Sequence, residues 1–131
     1  MTTADRLGGW TLDTGALLAL GRGDPRGRAL LRRAVERDMT CVVPAGVVAQ
    51  SWRGGPRQAR IARLLGDPLV EVRTLDDLDA RAVGMLCGRS GHADIVDVHV
   101  VLVARDRGDR VVTSDPDDLR MVDPTLRVIV V

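Results

Sequence analysis

The stretch TLDTGALLAL, residues 11–20, places a short β-type run, an aspartate and an apolar helical segment in direct succession. The β-type run is WTL, residues 10–12, and the helix is expected over residues 14–20. Asp13 is the polar residue at the junction. A strand that leads directly into a helix is typical of α/β folds built on a parallel sheet.

The same pattern recurs along the chain, because β-type runs alternate with helical segments. Gly- and Pro-containing breakers separate them, such as GDP at 23–25 and at 66–68. Each run is short enough for a buried strand. The alternation therefore predicts an α/β fold with a parallel sheet of about five strands, covered by helices on both faces. The further strands are expected at 40–43, 69–73, 111–113 and 127–131, and the further helices at 26–38, 45–53, 57–65, 75–87, 94–106 and 116–121.

Length and composition limit the architecture and the location of the protein. A chain of 131 residues with 45% hydrophobic content predicts one domain over residues 1–131. No apolar run approaches the roughly 20 residues that span a bilayer, and the N-terminus lacks the layout of a signal peptide. We therefore expect a cytoplasmic protein that does not enter membranes. Cys41 and Cys87 lack metal-ligand spacing, and we expect reduced thiols.

Two aspartates are expected at the carboxyl ends of strands. Asp13 follows the first strand, and Asp115 follows the fourth and precedes a helix that begins at Pro116. In an open parallel sheet, ligands bind in the crevice outside these strand ends. Asp13 and Asp115 are therefore candidate site residues.

Two more aspartates open the apolar helical stretch ADIVDVHVVLVAR, residues 93–105. Asp94 and Asp97 are three residues apart, so they are expected on one helical face. The same face continues to Val101 and Ala104, which are core-type residues, so both carboxylates are expected to point inward. Whether the connection over residues 87–94 delivers this helix to the same sheet edge is left open by the sequence.

The four aspartates have a structural and a chemical interpretation. Each of Asp13, Asp94 and Asp115 is a good helix N-cap, and Asp97 could form a capping-box-like pair with Asp94. However, clustered carboxylates repel one another unless a cation or protons neutralise them. Oxygen ligands without His or Cys favour Mg²⁺ or Mn²⁺. The chain has a net charge of +1, and without these four acids the rest of it is more positive. This charge modestly favours binding to polyanions and is compatible with RNA.

Four motifs in order carry a resemblance to a known family: LDTGALLAL, VVPAGVVAQSWRGG, ADIVDVHVVLVAR and VVTSDPDDL. Over residues 11–131, the chain resembles the PIN-domain nucleases, particularly the VapC toxins of bacterial toxin–antitoxin pairs. The resemblance implies a five-stranded α/β/α sandwich, Mg²⁺-dependent endoribonuclease activity on RNA, a cognate antitoxin protein as partner, and a homodimer. It implies a metal-site role, with catalysis, for Asp13, Asp97 and Asp115, with Asp94 as the additional acid.

One position departs from the family pattern. Gln50 stands where these nucleases normally have a glutamate. An amide oxygen can ligate a metal, but it supplies no charge and cannot act as a base. Gln50 could be neutral drift on an exposed helical turn, or it could mark an attenuated site. The alternative function is a non-catalytic PIN-like domain that binds RNA or protein. A haloacid-dehalogenase-like phosphatase is disfavoured, because Gly15 stands where it needs a second acid.

Other residues near the motifs have weaker interpretations. His99 lies on a different helical face from Asp97, and we expect a surface or core-edge residue. Trp52 could line an apolar groove for an antitoxin helix, or it could belong to the core. Hydroxyl groups that could position water or phosphate belong to Thr113 and Ser114. Guanidinium groups that could hold phosphate belong to Arg22, Arg53 and Arg89.

Overall fold

The structure is a computed structural model that describes residues 8–131. The part of the predicted domain before residue 8 lies outside the described residues. Every predicted strand and helix is present, with its ends shifted by at most three residues. Over the described range, the elements are β1 (Trp10–Leu12), α1 (Thr14–Gly21), α2 (Pro25–Glu36), β2 (Cys41–Pro44), α3 (Ala45–Ser51), α4 (Pro56–Leu65), β3 (Val70–Arg73), α5 (Asp77–Ser90), α6 (Ile95–Arg107), β4 (Arg110–Thr113), α7 (Pro116–Val122) and β5 (Val128–Val130).

The five strands form one parallel sheet in the order β3-β2-β1-β4-β5. In the central register, Thr11 lies opposite Val42 on one side and Val111 on the other. Helices flank the sheet, seven of them within residues 8–131. The α/β fold class is therefore confirmed, and it is consistent with an α/β/α sandwich.

The strand order places a switch point between β1 and β4. The chain begins in the middle of the sheet and adds β2 and β3 on one side. It then returns to pair β4 with β1 and continues outward to β5. In open parallel sheets, a crevice forms at such a reversal, outside the carboxyl ends of the two strands. Asp13 follows β1 and Asp115 follows β4, so both acids lie at this crevice.

The core packs the central strands against several helices, of which α6 contributes the most buried residues. The apolar stretch of α6 is buried because this helix covers the middle of the sheet, with Val98, Val101 and Ala104 almost fully enclosed. The expectation that every strand is buried is wrong for β3 and β5. Both are edge strands with one neighbour each, and Val72 and Val130 are exposed. Among residues 8–131, no helix has the length and apolar character to cross a membrane.

A buried polar network joins β3, α5 and α6. The guanidinium of Arg73 makes two bonds of 3.1 Å to the carboxylate of Asp79, and Asp79 Oδ2 lies 2.8 Å from His99 Nε2. The expectation that His99 is a surface or core-edge residue is wrong, since its exposed fraction is 1%. The face of α6 that carries His99 packs towards α5, where the carboxylate of Asp79 is the hydrogen-bond partner of the imidazole. The hydrogen bond from Arg73 and then that from His99 hold the pKa of Asp79 below its ordinary value, against the effect of burial.

Candidate functional site

Asp13 is fixed at the point where β1 becomes α1. Its backbone N–H donates to the carbonyl of Val112 on β4 at 3.1 Å. Its Oδ1 accepts from the N–H of Ala16 at 2.9 Å, so the capping interpretation is confirmed for this residue. The side chain is nevertheless 7% exposed and lies beside other acids, which a cap does not require. Asp13 therefore brings a buried carboxylate to the switch point between β1 and β4.

Asp115 lies across the switch point at the end of β4. The hydroxyl of Thr113 accepts from the N–H of Asp115 at 2.9 Å and is also hydrogen-bonded to Asp13. Among the described residues, the carboxylate of Asp115 caps no backbone N–H of α7, although Asp115 is the N-cap residue. The capping interpretation is therefore wrong for its side chain. Thr113 links the backbone of one acid to the side chain of the other.

Asp97 lies in the first turn of α6 and is half-buried, as its helical face predicts. Its Oδ2 lies 3.1 Å from Nε2 of His92. The expected inward orientation is wrong for Asp94, which is exposed and caps the helix through bonds to the N–H groups of Val96 and Asp97. An N-cap residue has extended backbone, here with φ −78° and ψ 105°, so the helical periodicity does not apply to it.

Close packing at two glycines brings the starts of the helices to this edge. A Cβ on Gly15, in the first turn of α1, would collide with the Oγ of Ser114. A Cβ on Gly46, in the first turn of α3, would lie 2.9 Å from a methyl carbon of Val96 in α6. A larger residue at either position would require the contacting side chain to shift. The question left open by the sequence is thereby answered, because the connection after α5 delivers the start of α6 to the carboxyl edge.

The three acids at the edge influence one another electrostatically. Burial raises the pKa of Asp13, and the charges of Asp97 and Asp115 raise it further, while the bonds from Thr113 and Ala16 lower it. Burial also raises the pKa of Asp97, the hydrogen bond from His92 lowers it, and the charges of Asp94 and then Asp115 raise it. The structure therefore places Asp13, Asp97 and Asp115 near enough for their charges to interact, and we call them the acid cluster. Repulsion within it disfavours the fully ionised state unless a cation is added.

Sequence reasoning missed two residues of this cluster. The neighbouring carboxyl group of Asp115, by side-chain interaction and then by charge, raises the pKa of Asp118. Two carboxyl groups in contact share either a proton or a cation. The spacing of Asp115 and Asp118 repeats that of Asp94 and Asp97, a signal that could have identified Asp118. His92 gives no comparable signal, because it precedes the helix and lies outside its periodicity.

Gln50 lies next to the cluster. Its Oε1 accepts a hydrogen bond from the hydroxyl of Thr14, the residue after Asp13. The side chain is half-buried, so the interpretation as drift on an exposed turn is wrong about its surroundings. The amide lies beside the acids without adding to their charge.

The donor chemistry fits a hard divalent cation, since the cluster offers carboxylate oxygens and one amide oxygen. Within residues 8–131, however, no group of three or more His, Cys, Asp or Glu side chains is arranged to hold a metal ion as it stands. Local bonds explain this arrangement: Asp97 is turned to His92, and Asp13 to the N–H of Ala16. A cation would have to compete with these contacts, so the metal role of Asp13, Asp94, Asp97 and Asp115 stays a prediction.

The remaining candidates lie outside the acid cluster. Ser114 is exposed and packs on Gly15, while Trp52 is 45% exposed and follows the buried Val47 of α3. Within the described part of the chain, three arginines are exposed and make no hydrogen bond or ion pair with the acids: Arg22, Arg53 and Arg89. Their phosphate-binding role stays a prediction.

No protein-family model matches the chain, and no curated protein matches it either.

Proposed function

We propose that the protein is a Mg²⁺-dependent endoribonuclease of the PIN type that acts as the toxin of a toxin–antitoxin pair. The observation that carries the proposal is the convergence of Asp13, Asp97 and Asp115 at the switch point of a five-stranded parallel sheet. Local capping explains Asp94 completely, but it does not explain why three further elements bring carboxylates to one place. The resemblance of the four motifs to PIN nucleases supports the same function.

Asp13, Asp97 and Asp115 would hold the cation, with Asp118 as a further carboxylate near Asp115. Asp94 fixes the first turn of α6 through its caps and so orients Asp97. Mn²⁺ fits the same oxygen ligands. When bound, such a cation supplies Lewis-acid chemistry for phosphodiester hydrolysis.

The chain's own groups set the limits of this activity. Gln50 accepts from Thr14 and cannot take a proton from an attacking water at neutral pH. Thr113 binds both acids that end β1 and β4, so it holds the spacing between them. We therefore infer a ribonuclease that is weaker than one with a glutamate at position 50.

The toxin role adds partners that rest on the resemblance. The substrate is RNA, and the cognate antitoxin would cover exposed apolar side chains such as Ile95, at the start of α6, and Trp52, at the end of α3. The proposal also includes a homodimer and a cytoplasmic location.

A second candidate function is a non-catalytic PIN-like domain that binds RNA or protein. Gln50 favours it, because an amide stands beside the acids where a base would serve hydrolysis. The absence of a preformed metal-binding group among the described residues points the same way. Both functions predict the same fold, so cleavage and metal binding must be measured separately.

The deciding experiment is cleavage of a single-stranded RNA by the wild type, Asp13→Asn and Asp117→Asn, with Mg²⁺ and with EDTA. Asp117→Asn is the matched control, because it removes one exposed charge near the same edge. We expect EDTA to abolish cleavage and Asp13→Asn to reduce it at least about tenfold, with little effect of Asp117→Asn. Cleavage that survives both EDTA and Asp13→Asn would contradict the mechanism. Metal binding without cleavage would favour the non-catalytic candidate.

A further inference from the structure

A second charged region lies at the opposite edge of the sheet, at the amino ends of the strands. A cavity of about 540 Å³ opens there beside Trp10 and Arg110, the first residues of β1 and β4. Its volume falls within the range of small-molecule pockets. Four arginines line it: Arg33, Arg37, Arg110 and Arg127.

Three separate parts of the chain supply these arginines. Arg33 is in the last turn of α2, and Arg37 follows one turn later as its C-cap residue, so both point from one helical face. Arg110 begins β4, and its N–H is bonded to the carbonyl of Gly9. Arg127 precedes β5 and donates to the carbonyl of Gly108 at 3.1 Å. The four arginines that line the cavity therefore come from different elements and do not follow one exposed helix.

The positive charge of the cavity is not balanced by its walls. Among the described residues that line it, none is acidic. The nearby carboxylate of Asp109 is buried and already accepts from the N–H of Gly9, the hydroxyl of Thr11 and the guanidinium of Arg107. Residues 1–7 contain one Asp and one Arg, so their side-chain charges cancel. Four like charges around one cavity repel one another and favour an anion from outside the chain.

Helix ends explain only part of this cluster. The C-termini of α2 and α6 lie at the cavity, and cations there stabilise unpaired carbonyl groups. This accounts for Arg33 in the last turn of α2 and for Arg127 at the carbonyl of Gly108. It also covers Arg37, the C-cap residue of α2, but it does not account for Arg110, which opens a strand. Neither side chain has a hydrogen-bond or ion-pair partner within residues 8–131.

We propose that this cavity binds a compact anion with two or three neighbouring phosphate groups. Guanidinium groups bind phosphate through paired, charge-assisted hydrogen bonds, and four of them match the charge of a di- or triphosphate. The concave shape favours a small ligand over an extended strand, and Met39 and Ile129 add an apolar part of the wall. The cavity and the acid cluster lie at opposite strand ends, so this site is independent of the proposed ribonuclease activity.

The test is calorimetric titration of the whole chain with inorganic tripolyphosphate in the presence of EDTA. We expect micromolar binding, weakened about tenfold by Arg37→Gln and by Arg110→Gln. Arg32→Gln is the matched control, since Arg32 is exposed on the same helix and does not line the cavity. Its affinity should stay within about twofold of the wild type, because Arg32 does not line the cavity and its exposed charge is screened. Asp97→Asn should also leave binding unchanged, which separates this site from the acid cluster.

Three outcomes would overturn the proposal. The first is that millimolar tripolyphosphate does not bind. The second is that Arg32→Gln and Arg37→Gln lose affinity equally, which would show that only the net charge of the protein matters. The third is that ATP or a single-stranded RNA with a 5′-hydroxyl binds whereas tripolyphosphate does not. Recognition would then depend on the nucleoside part of the ligand and not on neighbouring phosphate groups alone. Urea unfolding of each variant verifies the fold, and Arg37, at the exposed helix end, provides the test if Arg110→Gln is unstable.

Discussion

Two clusters of charged residues within residues 8–131 differ in how the negative charge of their aspartates is neutralised. Around Asp79, the chain supplies its own cation, Arg73, together with the imidazole of His99, and the pKa of Asp79 is lowered. At the carboxyl edge, Asp13 and Asp97 face further acids, and the pKa of each is raised, first by burial. A cluster that the chain neutralises serves structure, whereas one that it leaves charged is suited to an external cation.

The largest expected effect comes from breaking the neutralised cluster. Asp79→Ala leaves Arg73 and the buried His99 without their shared partner, so the free energy of unfolding should fall by about 3 kcal/mol. The measurement is urea unfolding at neutral pH. In Asp77→Ala, the matched control, an exposed pair with Arg81 is lost and stability should change by less than about 1 kcal/mol. Equal losses in the two variants would show that the Asp79 network contributes no more than a surface pair.

Adding a carboxylate at the carboxyl edge should increase the affinity of that cluster for an external cation. Gln50→Glu places a further negative charge beside Thr14 and Asp13, so Mn²⁺ should bind about tenfold more tightly, because ligand charge tunes the affinity for hard cations. Cleavage of RNA should also rise, since a base becomes available. Calorimetry measures the first effect. Gln58→Glu is the control, since Gln58 bonds to the N–H of Gly54 instead. An unchanged affinity in Gln50→Glu would remove residue 50 from the site.

Removing one edge charge should stabilise the metal-free protein at neutral pH. Asp97→Asn relieves the repulsion from Asp94 and Asp115, and stability should rise by up to about 1 kcal/mol, as expected for partly screened charges. Urea unfolding in EDTA measures this change. A decrease of similar size would show that the bond to His92 outweighs the repulsion.

The two clusters should respond to pH in opposite directions. Because the folded pKa of Asp97 is raised above 3.8, the folded state holds more protons there, and metal-free stability falls as pH rises from 3.8 through the folded value. The contribution of Asp79 is present above 3.8 and is lost as pH falls through its lowered folded value. Asp97→Asn should therefore flatten the pH profile above 3.8. A profile identical to that of the wild type would contradict the assigned repulsion.

The smallest effect is expected at His92. His92→Asn removes the contact with Asp97 Oδ2, so the pKa of Asp97 should rise further and stability should change by less than about 0.5 kcal/mol. Mn²⁺ affinity should not fall, because the imidazole competes with the cation for the same oxygen. Calorimetry and urea unfolding provide both values. A marked loss of Mn²⁺ affinity would instead make His92 a ligand.

The sequence predicted the fold because strand and helix patterns are local, and it located Asp13 and Asp115 because each follows a strand. It could not predict which strands lie at the sheet edges, since pairing joins distant segments. The orientation of Asp94 was wrong because its extended N-cap backbone lies outside the helical period. The hydrogen bond between His99 and Asp79 joins residues that are 20 positions apart, so local sequence patterns do not predict it.

The most direct test of the central claim is calorimetric titration with Mn²⁺ of the wild type, Asp97→Asn and Asp117→Asn. Asp117 lies close to Asp115 in sequence and is exposed, so its variant removes the same charge at the same edge without touching the cluster. The wild type and Asp117→Asn should bind Mn²⁺ with affinities within about twofold, and Asp97→Asn should bind at least about tenfold more weakly. Equal affinity in all three proteins, or no binding by the wild type, would contradict a cation site at the carboxyl edge.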